Sequence, residues 1–286
     1  MAASLKIKLY GLKCLLVVYG FLSYLSTGWR NDLLIVGFNK TTLLDYPGRV
    51  AATVFTGGCN FRCPFCHNGS LVLSPLSQQS CSEEEILEFL KKRRNVLKGV
   101  CITGGEPTLH ADLPDFISKI KDLGYQVKLD TNGYAPKVLK RLLDEELLDY
   151  VAMDIKNCRE KYALTAGREP DVFHVDKIDR SISILKEASV PYEFRTTVVK
   201  ELHTREDMIK IAQWIKGCPR YFLQQYQDSE NILYSLEREK TEQYGGEERF
   251  ESACFHGYSR EEMEQIAKAL RKVPGMTGDV SLRGTE

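Results

Sequence analysis

Short apolar runs recur along this chain, and each is followed by a stretch with helical spacing. The runs are V-A-A-T-V-F (Val50–Phe55), G-V-C-I-T (Gly99–Thr103), Q-V-K-L-D (Gln126–Asp130), Y-V-A-M-D (Tyr150–Asp154), Y-E-F-R-T-T-V-V (Tyr192–Val199) and Y-F-L-Q-Q-Y (Tyr221–Tyr226). Runs this short and this apolar suit strands covered by helices on a parallel sheet. Between them, Ser82 with Glu85 makes a capping box ahead of Ile86, Leu87, Phe89 and Leu90. Leu113, Phe116, Ile117 and Ile120 share one helical face, as do Ile178, Ile182 and Leu185. Thr204 caps a helix carrying Ile209, Ala212 and Ile215, and Ser259 with Glu262 starts one carrying Ile266, Ala267 and Leu270. A last short strand, Val280–Arg283, follows. This alternation predicts a parallel α/β sheet with right-handed crossovers. The order alone fits an open sheet and a curved partial barrel equally.

The chain has 286 residues, a length that suits one large α/β domain. We place that domain at 33–286. Leu33–Gly48 precedes the core and ends in a turn, L-D-Y-P-G. The polar tract 227–257 has no clear period and reads as a long connection or lid.

The most telling chemistry is C-N-F-R-C-P-F-C, which sets Cys59, Cys63 and Cys66 at C-x3-C-x2-C spacing. Three thiolates can hold three irons of a 4Fe–4S cluster, whereas an electron-transfer cluster takes a fourth protein ligand. No fourth cysteine lies nearby, so one iron is left open to a substrate. A structural zinc site would show paired C-x2-C units or a Cys/His set, and His67 is too close to Cys66 for easy joint chelation. The other six of nine cysteines are scattered, which excludes a disulfide framework and fits a reducing cytoplasm.

Charge is balanced, with 39 basic and 39 acidic residues, which argues against a nucleic-acid partner. Lys6, Lys8 and Lys13 precede an apolar run from Cys14 to Leu25 that is laid out like a secretory signal. It is short for a membrane span, which needs about 20 residues, and export would expose an oxygen-sensitive cluster to an oxidising compartment. We therefore read 1–32 as an extension outside the fold and the protein as cytoplasmic.

The expected strands end in polar motifs, as parallel α/β sheets place function at strand C-termini. The cluster loop, 56–68, follows the first. The second ends in T-G-G-E-P-T, where Gly104 and Gly105 permit close backbone approach and Glu106 offers an acceptor for an ammonium. The third ends in L-D-T-N-G and the fourth in M-D-I-K. Asp130 could accept from a ligand, hold a cation or cap its own turn; Lys156 is a point charge for a carboxylate. Arg195, in a buried strand, needs a partner: a ligand, a carboxylate near the cluster, or an ion pair with Glu193 or another neighbour. His67 and Asn68 stand beside the cluster loop.

The cysteine spacing, with aromatic Phe65 before the last cysteine, resembles the radical S-adenosylmethionine (SAM) superfamily. The resemblance implies a radical SAM partial (β/α)6 barrel, with parallel strands inside and helices outside. It implies that the open iron chelates SAM, and that one electron splits SAM into methionine and a 5′-deoxyadenosyl radical. It assigns Phe65, Gly104, Gly105, Glu106, Asp130, Lys156 and Arg195 to SAM binding, with T-G-G-E-P-T at the methionine amino group. From about Ile35 to Gly284 the chain is similar to anaerobic ribonucleoside-triphosphate reductase activating proteins, which are glycyl-radical-enzyme activases. That similarity rests on L-L-D-Y-P-G, F-T-G-G-C-N-F-R-C-P-F-C-H-N, I-T-G-G-E-P-T-L, L-D-T-N-G, V-A-M-D-I-K, Y-E-F-R-T-T-V-V and L-Q-Q-Y. It implies hydrogen abstraction from a glycine of the reductase, a flavodoxin or ferredoxin as electron donor, Asp130 and Asp154 as ligands of a monovalent cation, and Asp45 meeting the substrate loop. The alternatives are a radical SAM enzyme acting on a small molecule, such as one in deazapurine synthesis, and a non-enzymatic Fe–S electron carrier.

Overall fold

Eight strands form one sheet whose spatial order is the chain order. The structure is a computed structural model that describes residues 33–237 and 255–284. The strands are β1 (Ile35–Thr42), β2 (Ala51–Thr56), β3 (Gly99–Gly104), β4 (Gln126–Thr131), β5 (Tyr150–Asp154), β6 (Tyr192–Val198), β7 (Arg220–Gln225) and β8 (Asp279–Arg283). From β2 to β8 every pair is parallel. When successive parallel strands are neighbours, right-handed crossovers put all their helices on one face. The sheet then curls away from the helices, and among the described residues β1 and β8 are its two edges, each paired on one side. The expected partial barrel is therefore present, with the short final run joining it as β8. The expected extension 1–32 and most of the expected lid (238–254) lie outside the described residues.

β1 went unread because N-K-T-T at its end is polar and mostly exposed. It pairs on one side only, antiparallel to β2, with two register irregularities. An edge strand of this kind lacks the apolar periodicity that marks a buried one.

Among the described residues, five helices form where the caps and apolar spacing place them, and three more, Gly69–Leu73, Pro136–Asp144 and Tyr162–Thr165, form without a side-chain cap. They are α1 (Gly69–Leu73), α2 (Glu83–Arg93), α3 (Leu113–Asp122), α4 (Pro136–Asp144), α5 (Tyr162–Thr165), α6 (Asp176–Glu187), α7 (Arg205–Ile215) and α8 (Arg260–Leu270). Ser82–Glu85, Thr204–Asp207 and Ser259–Glu262 each make both bonds of a capping box. In α2 the first turn is acidic and the last is basic, which matches the helix dipole. α7 buries Met208, Ile211, Ala212 and Ile215, whereas Ile209, expected on that face, sits at its margin. Among the described residues no helix is long and apolar enough to cross a membrane.

The two sheet faces differ chemically because side chains alternate along each strand. Val54, Ile102, Leu129, Met153 and Phe194 are fully buried in the main core with the helices. Each such side chain contributes roughly 1.5–3 kcal/mol by leaving water. The opposite, concave face carries Thr53, Cys101, Lys128, Asp130, Asp154 and Arg195. Arg195 on β6 reaches Asp130 on β4, two strands away, as the curl of the sheet allows.

Candidate active site

One pocket opens at the C-terminal ends of the strands and gathers most of the motifs. Cys59, Cys63, Phe65, Cys66, Gly104, Gly105, Asp130, Asp154, Lys156 and Arg195 all line it. His67 and Asn68 line it as well.

The loop after β3 crosses directly over the loop after β2. Gly105 N–H donates to the Thr56 carbonyl at 2.8 Å, and Glu106 N–H to the Gly58 carbonyl at 2.9 Å. A Cβ on Gly105 would lie 1.8 Å from the Gly58 carbonyl oxygen, and Gly104 holds φ at +117°, so both positions demand glycine. Asn68 Nδ2 donates to the Gly104 carbonyl at 2.9 Å, closing the arrangement from the far side of the cysteines.

The cysteine loop is anchored on both flanks. Arg62 N–H donates to the Ala166 carbonyl just past α5, and Arg62 Nη1 to the Cys59 carbonyl at 2.6 Å. On the other flank, Leu233 N–H donates to the Cys66 carbonyl at 2.9 Å and Tyr234 N–H to the Pro64 carbonyl at 3.0 Å. Asn231 Nδ2 donates to the His67 carbonyl at 2.8 Å. The described start of the expected lid is thus strapped to the cysteine loop by backbone bonds.

These three thiols fit an iron–sulfur cube. They are free, they line one pocket, and among the described residues no three metal-ligating side chains converge tightly enough for a single ion. A mononuclear zinc site requires that convergence. Burial pushes the Cys59 thiol up to about 12 and also raises Cys63 and Cys66; nearby Lys156 pulls each back only in part.

Glu106 is the assigned residue that the structure does not bring to the pocket lining. It is 1% exposed. Its Oε1 accepts from Thr108 N–H at 3.1 Å, Thr108 Oγ1 at 2.5 Å and Thr131 Oγ1 at 2.7 Å, and its Oε2 from Asn132 N–H at 2.7 Å. Burial raises its carboxyl, and these donors oppose that shift. It bolts two loops together from beneath the pocket.

Arg195 makes its ion pairs with Asp130 and Asp154 rather than Glu193, at 3.1 and 2.9 Å. Lys156 pairs with Asp154 at 3.0 Å, and Lys128 with Asp130. Burial opposes the Asp154 charge, but Arg195 and then Lys156 outweigh it and hold the carboxyl at about 2. The same balance raises Lys156, with Asp154 as its main support. Both aspartates are thus saturated by protein cations, which is not how free cation ligands stand. Glu193 instead holds Arg283 and Tyr150.

Asp45 lies at the other end of the barrel. Thr42, just before it, pairs with Ala51 at the start of β2, whereas the cysteine loop leaves its end. Its carboxylate accepts from Thr53 Oγ1 at 2.5 Å, a local structural role.

Sequence reasoning missed Asn132, Thr197, Gln224 and Leu233 among the lining residues. Asn132 Nδ2 donates to Asn60 Oδ1 at 2.8 Å beside Cys59. Strand parity marks Thr197 and Gln224 as inward positions, two residues along β6 from Arg195 and on the paired β7. His203, fully buried, shares a 2.7 Å hydrogen bond between Nε2 and the Lys156 carbonyl. Burial lowers its pKa, so it props that carbonyl as a neutral imidazole.

A curled parallel barrel with a three-thiol loop after the first parallel strand can hold an iron–sulfur cluster with one iron left open to a ligand. The chain belongs to the Radical SAM superfamily, whose family model matches residues 53–215. Members of that family use a 4Fe–4S cluster and SAM. A Methanocaldococcus jannaschii protein, provisionally named a glycyl-radical enzyme activating enzyme, is 36% identical over 199 residues, covering 68% of this chain and 80% of that one. A Sulfolobus acidocaldarius protein, provisionally a GTP 3′,8-cyclase, is 40% identical over 106 residues, covering 35% of this chain and 32% of that one. Among solved structures, a radical SAM methyltransferase from Sphaerobacter thermophilus superposes with a TM-score of 0.61 at 14% identity, covering 83% of this chain and 67% of that one. Streptococcus suis SuiB bound to S-adenosylmethionine superposes with a TM-score of 0.55 at 13% identity, covering 79% and 48%. At such identities the likeness is one of fold.

Proposed function

We propose that this chain is a cytoplasmic glycyl-radical-enzyme activase whose partner is an anaerobic ribonucleoside-triphosphate reductase. The observation that carries the reading is the 36% identity to the Methanocaldococcus protein across 80% of its length. The choice of the reductase rests on the resemblance of the motif blocks quoted above to those of its activating proteins. A flavodoxin or ferredoxin would donate the electron.

Cys59, Cys63 and Cys66 would hold three irons, leaving the fourth facing the pocket. Gly104 and Gly105 would bring bare backbone to the methionine end of SAM, and Lys156 would offer its ammonium to the carboxylate. Phe65 and Leu233 supply apolar wall. Arg195, fixed by two aspartates, presents a rigid cationic surface deeper in the barrel. When bound, the cluster and SAM together supply a 5′-deoxyadenosyl radical by one-electron cleavage of the sulfonium C–S bond.

Mixing the reduced, reconstituted protein with SAM and the host's anaerobic reductase tests the assignment. A glycyl doublet in the electron paramagnetic resonance spectrum is expected. SAM cleavage without that doublet would reject the reductase. GTP turnover would then favour the small-molecule reading, to which the cyclase match over about a third of the chain points.

A further inference from the structure

Asp130 and Asp154 have four carboxylate oxygens between them, and a cationic protein group sits on each. Lys128 Nζ donates to Asp130 Oδ1, and Arg195 Nη1 to Asp130 Oδ2 at 3.1 Å. Arg195 Nε donates to Asp154 Oδ1 at 2.9 Å, and Lys156 Nζ to Asp154 Oδ2 at 3.0 Å. The group holds three positive charges against two negative ones. A further monovalent cation would meet net repulsion and would have to displace an ammonium or guanidinium already in place. The residues therefore fit poorly as a free cation site.

Lys128 is the distinctive member. It is 2% exposed, on the concave face of β4, and it does not line the pocket. Its other contact is the buried Cys101 Sγ, at 3.6 Å. A lysine ammonium in such a place is costly unless its charge is matched. The match here is Asp130, whose second oxygen holds Arg195 at the pocket wall.

We propose that Lys128 is a built-in counterion. Its ammonium takes one oxygen of Asp130, one of the two aspartates that the activase resemblance gives to a dissociable monovalent cation, while Arg195 bridges the pair. Ammonium and potassium ions are close in size and equal in charge, so one can stand for the other against a carboxylate. Lys128 is thus a positioning residue: it fixes Asp130, and through Asp130 the Arg195 guanidinium. The consequence is an enzyme whose pocket is indifferent to the surrounding alkali ion. The inference rests on reading the pocket as the SAM site. Ion binding is therefore measured apart from SAM cleavage, so that either can fail alone.

The reconstituted, oxidised protein is exchanged into tetramethylammonium buffer and titrated with sodium ion, followed by sodium NMR line width. Melting temperature is compared in potassium, sodium and tetramethylammonium chloride at equal ionic strength. The wild type should give no saturable broadening and the same melting temperature in all three salts. Lys128→Met should gain saturable broadening and be stabilised by potassium or sodium over tetramethylammonium. Lys128→Arg, which keeps the charge, should behave as the wild type. Saturable sodium binding by the wild type that Asp130→Asn removes would overturn the proposal, and this arm needs no folded Lys128 variant. A folded Lys128→Met protein that gains no ion dependence would overturn it equally.

Discussion

The carboxylate of Glu106 accepts the backbone N–H of Asn132 at 2.7 Å and so laces the loop after β3 to the loop after β4. The same carboxylate takes both Thr108 groups and the Thr131 hydroxyl, all from a buried position. Glu106→Gln turns an amide NH2 toward groups that can only donate or already do. It should cost about 1–3 kcal/mol, the usual penalty for an unsatisfied buried polar group. Thermal melting reads that loss directly, and SAM affinity should change little. A large fall in affinity at unchanged stability would mean instead that Glu106 reaches the ligand.

Gly69 is the contact point for the strap that runs over the cysteine loop. A Cβ there would lie 2.7 Å from the Asn231 carbonyl oxygen and 2.8 Å from the Leu233 Cα. Both obstacles are backbone, so the strap itself must move. Gly69→Ala should therefore cost about 1–3 kcal/mol, as overpacking does. It should also speed protease cleavage near Asn231 and loss of iron from the reconstituted protein. Equal cleavage rates in the two proteins would show that the strap tolerates the methyl.

Two carboxylates held well below their ordinary range should contribute to acid sensitivity. Asp154, burdened by burial but held mainly by Arg195 and Lys156, sits at about 2. Asp207, likewise opposed by burial but bonded to Lys161 and Thr204, also sits at about 2. A depressed folded-state pKa adds stability above the unfolded value and loses it as protons return. Denaturant midpoints should thus fall between about pH 4 and pH 2. Asp207→Asn should flatten that slope while lowering the plateau at neutral pH. A slope unaltered by Asp207→Asn would show that other groups govern acid unfolding.

Cluster assembly should release protons. Burial raises all three cysteine thiols, Cys59 to about 12, so they are protonated at neutral pH. Iron binds thiolate, so each ligand must lose its proton on assembly. Assembly should grow more favourable as pH rises across the neutral range. Calorimetry in two buffers of different ionisation enthalpy measures the release. An assembly constant flat from acidic to alkaline pH would contradict this.

Much of this architecture was legible in the chain. The strand runs, the capping boxes and the T-G-G and cysteine motifs all carry local chemistry, and local chemistry survives without coordinates. β1 did not, because an exposed edge strand ending in N-K-T-T has no reason to be apolar. Partner choice did not either. Arg195 needs a partner, be it a ligand or a carboxylate, but only the curl of the sheet decides that Asp130 on β4 and Asp154 on β5 pair with it rather than Glu193. Lys128 carries no signal of a role within its Q-V-K-L-D run. Its meaning depends on a concave face that faces neither helices nor water. Glu106 was read from its motif as facing a ligand, whereas the tight crossing of two loops turns it inward.

The central claim is that the Cys59, Cys63 and Cys66 pocket holds a cluster that splits SAM. The most direct measurement is 5′-deoxyadenosine and methionine formation by the anaerobically reconstituted, reduced protein, beside Cys59→Ala, Cys63→Ala and Cys66→Ala. Equal amounts of the two products from the wild type, and none from any variant, are predicted. A fully loaded wild-type protein that forms neither product, or a variant that cleaves as fast as the wild type, would contradict it.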